Sequence, residues 1–268
     1  MSTPQVQFGN PDLWPEIYSK FKDPVDEIEA LKSLVGVMLE TTEKSRRTKA
    51  QRIIAMLVKT TASVLGDVVT LTGNGCGLGA MVLSRGMFEY SVMAEYLRRN
   101  PREQADYTAF GTVTSWKRYK KEKAESQEWV KQVRPEIVAR LRERYSRAAA
   151  RLKDKNGKVR RQWHRKSLRQ MAEEIGLGEQ YELPYGLAAS IHHGSFQGIA
   201  AHLGTWENPM FSDASVDWLG IALISGHVYM LQALRTLNAA MRLGFKDKVQ
   251  EADDRFMEVW SKGQSHVP

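Results

Sequence analysis

Two short stretches of this chain hold residue types that can do acid–base and phosphate chemistry. The first is Arg85-Gly86-Met87-Phe88-Glu89. A four-residue separation puts Arg85 and Glu89 on one side of a helix, within reach of each other, on the face that also carries Leu78, Met81 and Val92. Charge on an apolar face is expensive unless paired, so the two are expected to be partners. They serve either as an internal ion pair that fixes helix packing or as a pocket wall, with Arg85 gripping an anion and Glu89 orienting a catalytic group. The second stretch is His192-His193-Gly194-Ser195. Adjacent histidines on a helix point about 100° apart, so only one faces a given pocket. Histidine titrates near neutrality and serves as general base or acid, and Ser195, just beyond a glycine, can bind phosphate or position a substrate. A histidine at a helix end also serves simply as a cap.

The familiar catalytic signatures are missing. There is no GxxxxGK[ST], no GxGxxG after a strand, no HExxH, no CxxC pair and no GxSxG. The glycine-rich run Gly73–Gly79 joins two helices and lacks the Lys and Ser/Thr of a phosphate loop. His202 and His227 have no spacing that argues for a metal site. No cofactor and no metal are expected.

Net charge is +8, and the excess is concentrated. From Lys117 to Arg169 the chain is rich in Lys and Arg with few acids, and Arg160, Arg161 and Arg165 stand close together in it. Such a stripe is either a solvated helix face or a binding surface for a polyanion, nucleic acid foremost, because Lys and Arg release condensed counterions from phosphates.

These residues must be positioned by helices. Apolar residues recur at three- and four-residue spacing, and no stretch shows period-two alternation bounded by turn residues. The expected class is all-α, a multi-helix bundle formed by one domain, with a core at about 24–110 and 167–261 and a projecting basic helical arm at about 111–166. Asp23-Pro24 suits the N-cap and first position of a helix in which Val25, Ile28, Leu31, Leu34, Val35 and Met38 recur at three- and four-residue spacing. A second helix runs from about Thr48 to Leu71 and stops at Gly73-Asn74-Gly75. A third spans about Leu78–Arg99 and ends at Asn100-Pro101. A fourth follows to about Lys123, and Pro135 opens another that reaches about Lys153. The DKNGK turn at Asp154–Lys158 connects the arm back. Ser167 suits the N-cap of a short helix, Leu168–Ile175, and Pro184 interrupts the segment Glu179–Ser190. Helices at about Ser215–Leu243 and Lys246–Ser261 complete the set.

The protein has 42% hydrophobic and 26% charged residues, enough to bury a core. The lone Cys76 and a start without signal-peptide features point to a reducing, cytoplasmic home. The apolar stretch Trp218–Leu234 carries no formal charge, but its length is marginal for a bilayer and it contains His227 and Gln232, so it is expected as a buried core helix rather than a membrane span.

Arg85-x-x-Phe88-Glu89, then Tyr96-Leu97, then a downstream helix ending Ser190-x-His192-His193-Gly194-Ser195, resembles a bacterial family of helical proteins of unknown function over about Val25–Leu243. The arrangement of long helices with polar residues at the core is also similar to the higher-eukaryote and prokaryote nucleotide-binding superfamily, whose active members are metal-independent ribonucleases of toxin–antitoxin and anti-phage systems. Those enzymes use an Arg, four to six intervening residues, then a His on one helix. Here the nearest upstream arginine is Arg169, so Arg85 would have to supply the cation from another helix. The resemblance implies an RNA-directed protein in which Arg85 stabilises phosphate, His193 or His192 is the base, Glu89 orients it, and Ser195, Tyr96, Arg160, Arg161 and Arg165 contact substrate. The alternative is a non-enzymatic helical protein that binds nucleic acid or an acidic partner through its basic arm. RNA or another nucleic acid is the expected partner, no membrane is involved, and a homo-oligomer is left open.

Overall fold

Helix follows from the sequence wherever apolar residues recur on one face and the ends carry capping chemistry. The computed structural model describes residues 9–44, 47–196 and 218–262. Among them every regular element is helical, apart from one isolated antiparallel bridge between Lys153 and Val159. The chain divides into two compact units, one made of residues up to Arg98 and from Leu168 onward, the other of Arg99–Ser167.

In the first unit, α1 spans Trp14–Glu43, α2 Lys49–Gly73 and α3 Gly77–Arg99. α1 begins nine residues before the Asp23-Pro24 start expected from its capping signal. Pro24 instead lies inside α1, and the backbone breaks at Phe21 (φ −117°, ψ 23°), where a proline ring three residues on forbids an ordinary helical turn. The second helix starts as expected. Thr48 accepts from the Gln51 amide at 3.2 Å, and Gln51 Oε1 accepts from the Thr48 amide at 3.0 Å, a reciprocal cap that satisfies two orphan donors. Gln51 Nε2 also donates to the Ala240 carbonyl at 3.0 Å, which ties that end to the last long helices.

After Leu168–Ile175 (α6), the backbone widens into a π-helical turn at Tyr181–Tyr185 and then runs on as Gly186–His192 (α7). Pro184 was expected to interrupt this segment. It sits inside the π turn, whose wider register removes the need for the amide that proline lacks. The unit is completed by α8, Leu219–Met241, and α9, Lys246–Lys262; the start expected near Ser215 lies outside the described residues.

The core forms where α8 crosses α1 and α2, with α9 packed on α1 and α8. Leu65, Val68, Met87, Phe88, Leu219, Leu223 and Leu234 are fully buried there. Gly226 permits the close crossing, because a Cβ at that position would come within 3.1 Å of Leu65. The stretch Trp218–Leu234 lies in this core, with Leu219, Ala222, Leu223, Met230 and Leu234 at 0% exposure. One helix among the described residues, Lys49–Gly73, is long and apolar enough to cross a membrane.

His227 is buried in α8, with the Phe256 ring 4.8 Å away and the Trp260 indole donating to Nδ1 at 3.4 Å. Burial pushes its imidazole down to about 4. The folded value lies below the unfolded one, so the stability this histidine supports is fully present above about pH 6.5 and is lost as pH falls toward 4. The loss should reach roughly 3 kcal/mol near pH 4. Thermal melts between neutral pH and about pH 4 should therefore fall more steeply for the native chain than for His227→Gln, which keeps a polar acceptor for Trp260 but cannot titrate. Parallel curves would mean that His227 contributes nothing to acid sensitivity.

The second unit is built on α4, Gln104–Ala124, and α5, Pro135–Arg151, which pack against each other. Residues 99–110, expected with the core, belong to this unit instead. The reason is that α4 is one continuous helix: Ala109, Phe110 and Val113 close a small apolar cluster with Tyr145 and Ala148 of α5 and with Leu152 just beyond its end. The Asp154–Lys158 connector is held by the Asp154 carboxylate, which accepts from the amides of Asn156 and Lys158, while Gly157 takes φ +73°.

Candidate functional site

α3 presents Arg85 and Glu89 one turn apart, and they are paired: Arg85 Nη2 lies 3.0 Å from Glu89 Oε1. A third group completes the cluster. Tyr185, from the π-helical turn, donates its hydroxyl to Glu89 Oε1 at 3.2 Å and accepts from Arg85 Nε at 3.5 Å, and its ring sits 5.6 Å from the guanidinium carbon. Burial works against the Arg85 charge, but the Tyr185 hydroxyl and the Glu89 carboxylate outweigh it and hold the guanidinium protonated more firmly than usual. Burial likewise pushes the Tyr185 phenol up, against the pull of Arg85. The phenol is therefore a donor, not a base, at neutral pH. Beneath the cluster Phe88 packs on Tyr185 at 4.9 Å and on Tyr229 at 5.3 Å, and Tyr181 stacks on Tyr185 at 4.9 Å.

The histidines are not part of this bonded cluster. His192 closes α7, His193 follows it, and both are exposed, with their rings edge-on at 5.1 Å. Gly194 (φ +61°) turns the chain, and the Ser195 hydroxyl is held by the Ser190 side chain and, at 3.1 Å, by its carbonyl. Among the described residues no hydrogen bond or ion pair joins either histidine to Arg85 or Glu89. The expected convergence of Arg85, Glu89 and a histidine is thus replaced by Arg85, Glu89 and Tyr185. Tyr96, expected at the substrate, is 2% exposed in the core, where ligand contact would require opening the bundle. His202 lies outside the described residues. No group of three or more metal-ligating side chains occurs among those that are described.

The basic unit divides its cations into committed and uncommitted ones. Asp106 binds Arg160 and Arg151 together, and Arg160 is only 16% exposed in its side chain. Arg160 therefore holds the end of α5 to α4, and its expected place at the substrate gives way to this structural pair. Arg118 is taken by Glu122 and Arg147 by Glu143. Arg161 and Arg165, together with Arg140 and Arg144 one turn apart on α5, are exposed and make no ion pair among the described residues. Aromatic rings accompany them. Trp116 stacks between Tyr119 (5.6 Å) and Tyr145 (5.7 Å), and Trp129 is 45% exposed on the turn Glu128–Lys131.

A family model described as a family of unknown function, DUF5677, matches residues 51–210. The chain belongs to that family. The match takes in the Arg85–Glu89–Tyr185 cluster, the histidine pair and the whole basic unit. No curated protein and no solved structure matches the chain.

Sequence reasoning missed two features within and beside this region. Tyr185 carried one local signal, its four-residue spacing from Tyr181, but nothing tied it to Arg85. Glu95 went unnoticed although it is the buried carboxylate of α3, 4% exposed. It accepts from Arg98 Nε and Nη2, both at 2.7 Å, and from the Thr236 hydroxyl at 3.0 Å. The three-residue spacing of Glu95 and Arg98 was the available signal.

Proposed function

We propose that this protein is an RNA-directed binding protein whose basic unit, Arg99–Ser167, grips the phosphate backbone without cleaving it. One observation carries the reading. This unit holds 21 of the 39 Lys and Arg but only 8 of the 31 Asp and Glu, so the remainder of the chain, with 18 against 23, is acidic. A charge imbalance confined to one small unit builds a strong local field, which attracts polyanions and releases their counterions on contact. The exposed Trp129 adds a ring face on which an unstacked base can lie, which favours single strands.

Binding is favoured over ribonuclease chemistry by the geometry of the first unit. Transfer to a ribose 2′-hydroxyl needs a base beside the cation that receives the phosphate. Arg85 is engaged instead by Glu89 and by a phenol that burial keeps protonated, while the histidines lie exposed and unconnected to it.

The test is fluorescence anisotropy with a labelled single-stranded RNA and a DNA of equal sequence, titrated at several salt concentrations. Binding should weaken steeply with salt, by about 0.7 in the log–log slope per phosphate engaged, and the RNA should be intact on a gel afterwards. Salt-independent binding, or none at low salt, would remove the proposal. RNA shortened by the native chain but not by His193→Ala would restore the nuclease reading.

A further inference from the structure

Between the π-helical turn, α7 and α8, the first unit holds a cavity of about 760 Å³. Its wall is mostly apolar, with Leu187, Ile221 and Ile224 among its residues, and its volume falls within the usual range for small-molecule sites. The lining carries no Lys, Arg or His. Its one charged residue, Glu182, is neutralised by Arg169 at 2.8 Å.

Four uncharged polar residues complete the wall: Gln180, Ser190, Ser225 and Tyr229, and of these Ser190 is already bonded to the Ser195 hydroxyl. Gln180 Oε1, the Ser225 hydroxyl and the Tyr229 hydroxyl are all buried and have no hydrogen-bond partner among the described residues. Ser225 is 4% and Tyr229 3% exposed. The two hydroxyls lie one turn apart on α8, near enough for Ser225 to pull against the upward push that burial exerts on the Tyr229 phenol, but their contact falls short of hydrogen-bond geometry and leaves both unmet. Buried polar atoms are nearly always satisfied in folded proteins, so three unmet ones in the wall of a single cavity point to partners supplied by a ligand. The wall is also where the backbone adopts its π-helical turn, a rare conformation that concentrates at functional sites.

We propose that this cavity binds a neutral amphipathic small molecule. Its aliphatic or aromatic body lies against Leu187, Ile221 and Ile224, and its hydroxyl or carboxamide head bonds to Gln180, Ser225 and Tyr229. The head must both donate and accept: Gln180 Oε1 only accepts, and the Tyr229 phenol, kept protonated by burial, donates. A carboxylate head fails twice, because it cannot donate and no cation in the wall offsets its loss of water. The site lies in the first unit and does not depend on the RNA reading.

The experiment uses the full chain and the neutral dye N-phenylnaphthylamine, whose fluorescence rises in apolar surroundings, displaced in turn by decanol, decanamide and decanoate. The dye should saturate at one per chain, and decanol and decanamide should displace it at about tenfold lower concentration than decanoate. Ile224→Trp, which fills a partly exposed wall position, should abolish dye binding while the circular dichroism spectrum stays helical. Tyr229→Phe is the discriminating variant. It removes an unmet hydroxyl, so it should raise the melting temperature of the ligand-free protein and weaken decanol about tenfold while the dye still binds. Absence of saturable dye binding, equal displacement by decanol and decanoate, or a Tyr229→Phe protein that melts lower with unchanged decanol affinity would each overturn the proposal.

Discussion

Reversing four uncommitted arginines together, Arg140→Glu, Arg144→Glu, Arg161→Glu and Arg165→Glu, is expected to weaken single-stranded RNA binding by at least about a hundredfold at low salt and to flatten the salt slope by about three. The choice of residues follows from the structure. All four are exposed and free of ion pairs among the described residues, so their reversal should leave the melting temperature close to that of the native chain. Arg160 is left out because its guanidinium is held by Asp106. A glutamate there would face a carboxylate and loosen the packing of α5 on α4, confusing lost contact with lost fold. If the quadruple variant binds RNA as tightly as the native chain while folding normally, the basic unit is a solvated surface and the proposed function fails with it.

The second large effect concerns stability. Arg98→Ala should lower the unfolding free energy by about 3 kcal/mol, because it strips the guanidinium from a carboxylate held in low dielectric. The Glu95 side chain is 5% exposed, and two of its hydrogen bonds come from Arg98. Arg85→Ala breaks an ion pair of similar length but should cost only about 1 kcal/mol, since pairs reached by water contribute little. The Glu89 side chain is 35% exposed and keeps the Tyr185 hydroxyl as a donor. Urea denaturation of the two variants side by side tests the comparison, with the midpoints read at unchanged slope. Equal losses would mean that burial does not set the strength of these pairs. Glu95→Gln together with Arg98→Ala should recover part of the loss by removing the stranded charge.

The same pair of ion pairs shows how far a single sequence reaches. Arg85 and Glu89 were legible because both lie on one helix at a spacing that brings side chains together whatever the surroundings. Glu95 and Arg98 have a comparable spacing, yet nothing local distinguishes a pair at the surface from one sealed in the core. The seal is made by α8, whose Thr236 lies 141 positions away. Tyr185 joins Arg85 across 100 positions for the same reason. The two histidines are visible in the sequence as groups able to exchange protons, but not as partners of any particular residue. Whether they bond to Arg85 depends on how the π-helical turn sets α7 against α3.

What the sequence determined alone is therefore what short-range physics controls. Helical periodicity, the helix start near Thr48, the stop at Asn100-Pro101 and the start at Pro135 rest on neighbours within about four residues, and the excess of Lys and Arg over Lys117–Arg169 is a matter of composition. What only the tertiary structure decided is which of these residues remain available. Asp106 withdraws Arg160 from the surface, Tyr185 takes the place expected of a histidine, and α8 turns Ser225 and Tyr229 into unmet donors in a cavity wall. Each outcome depends on crossing angles and close approaches between distant helices. Those are set by the fit of whole side-chain surfaces, which no periodicity in a single segment encodes.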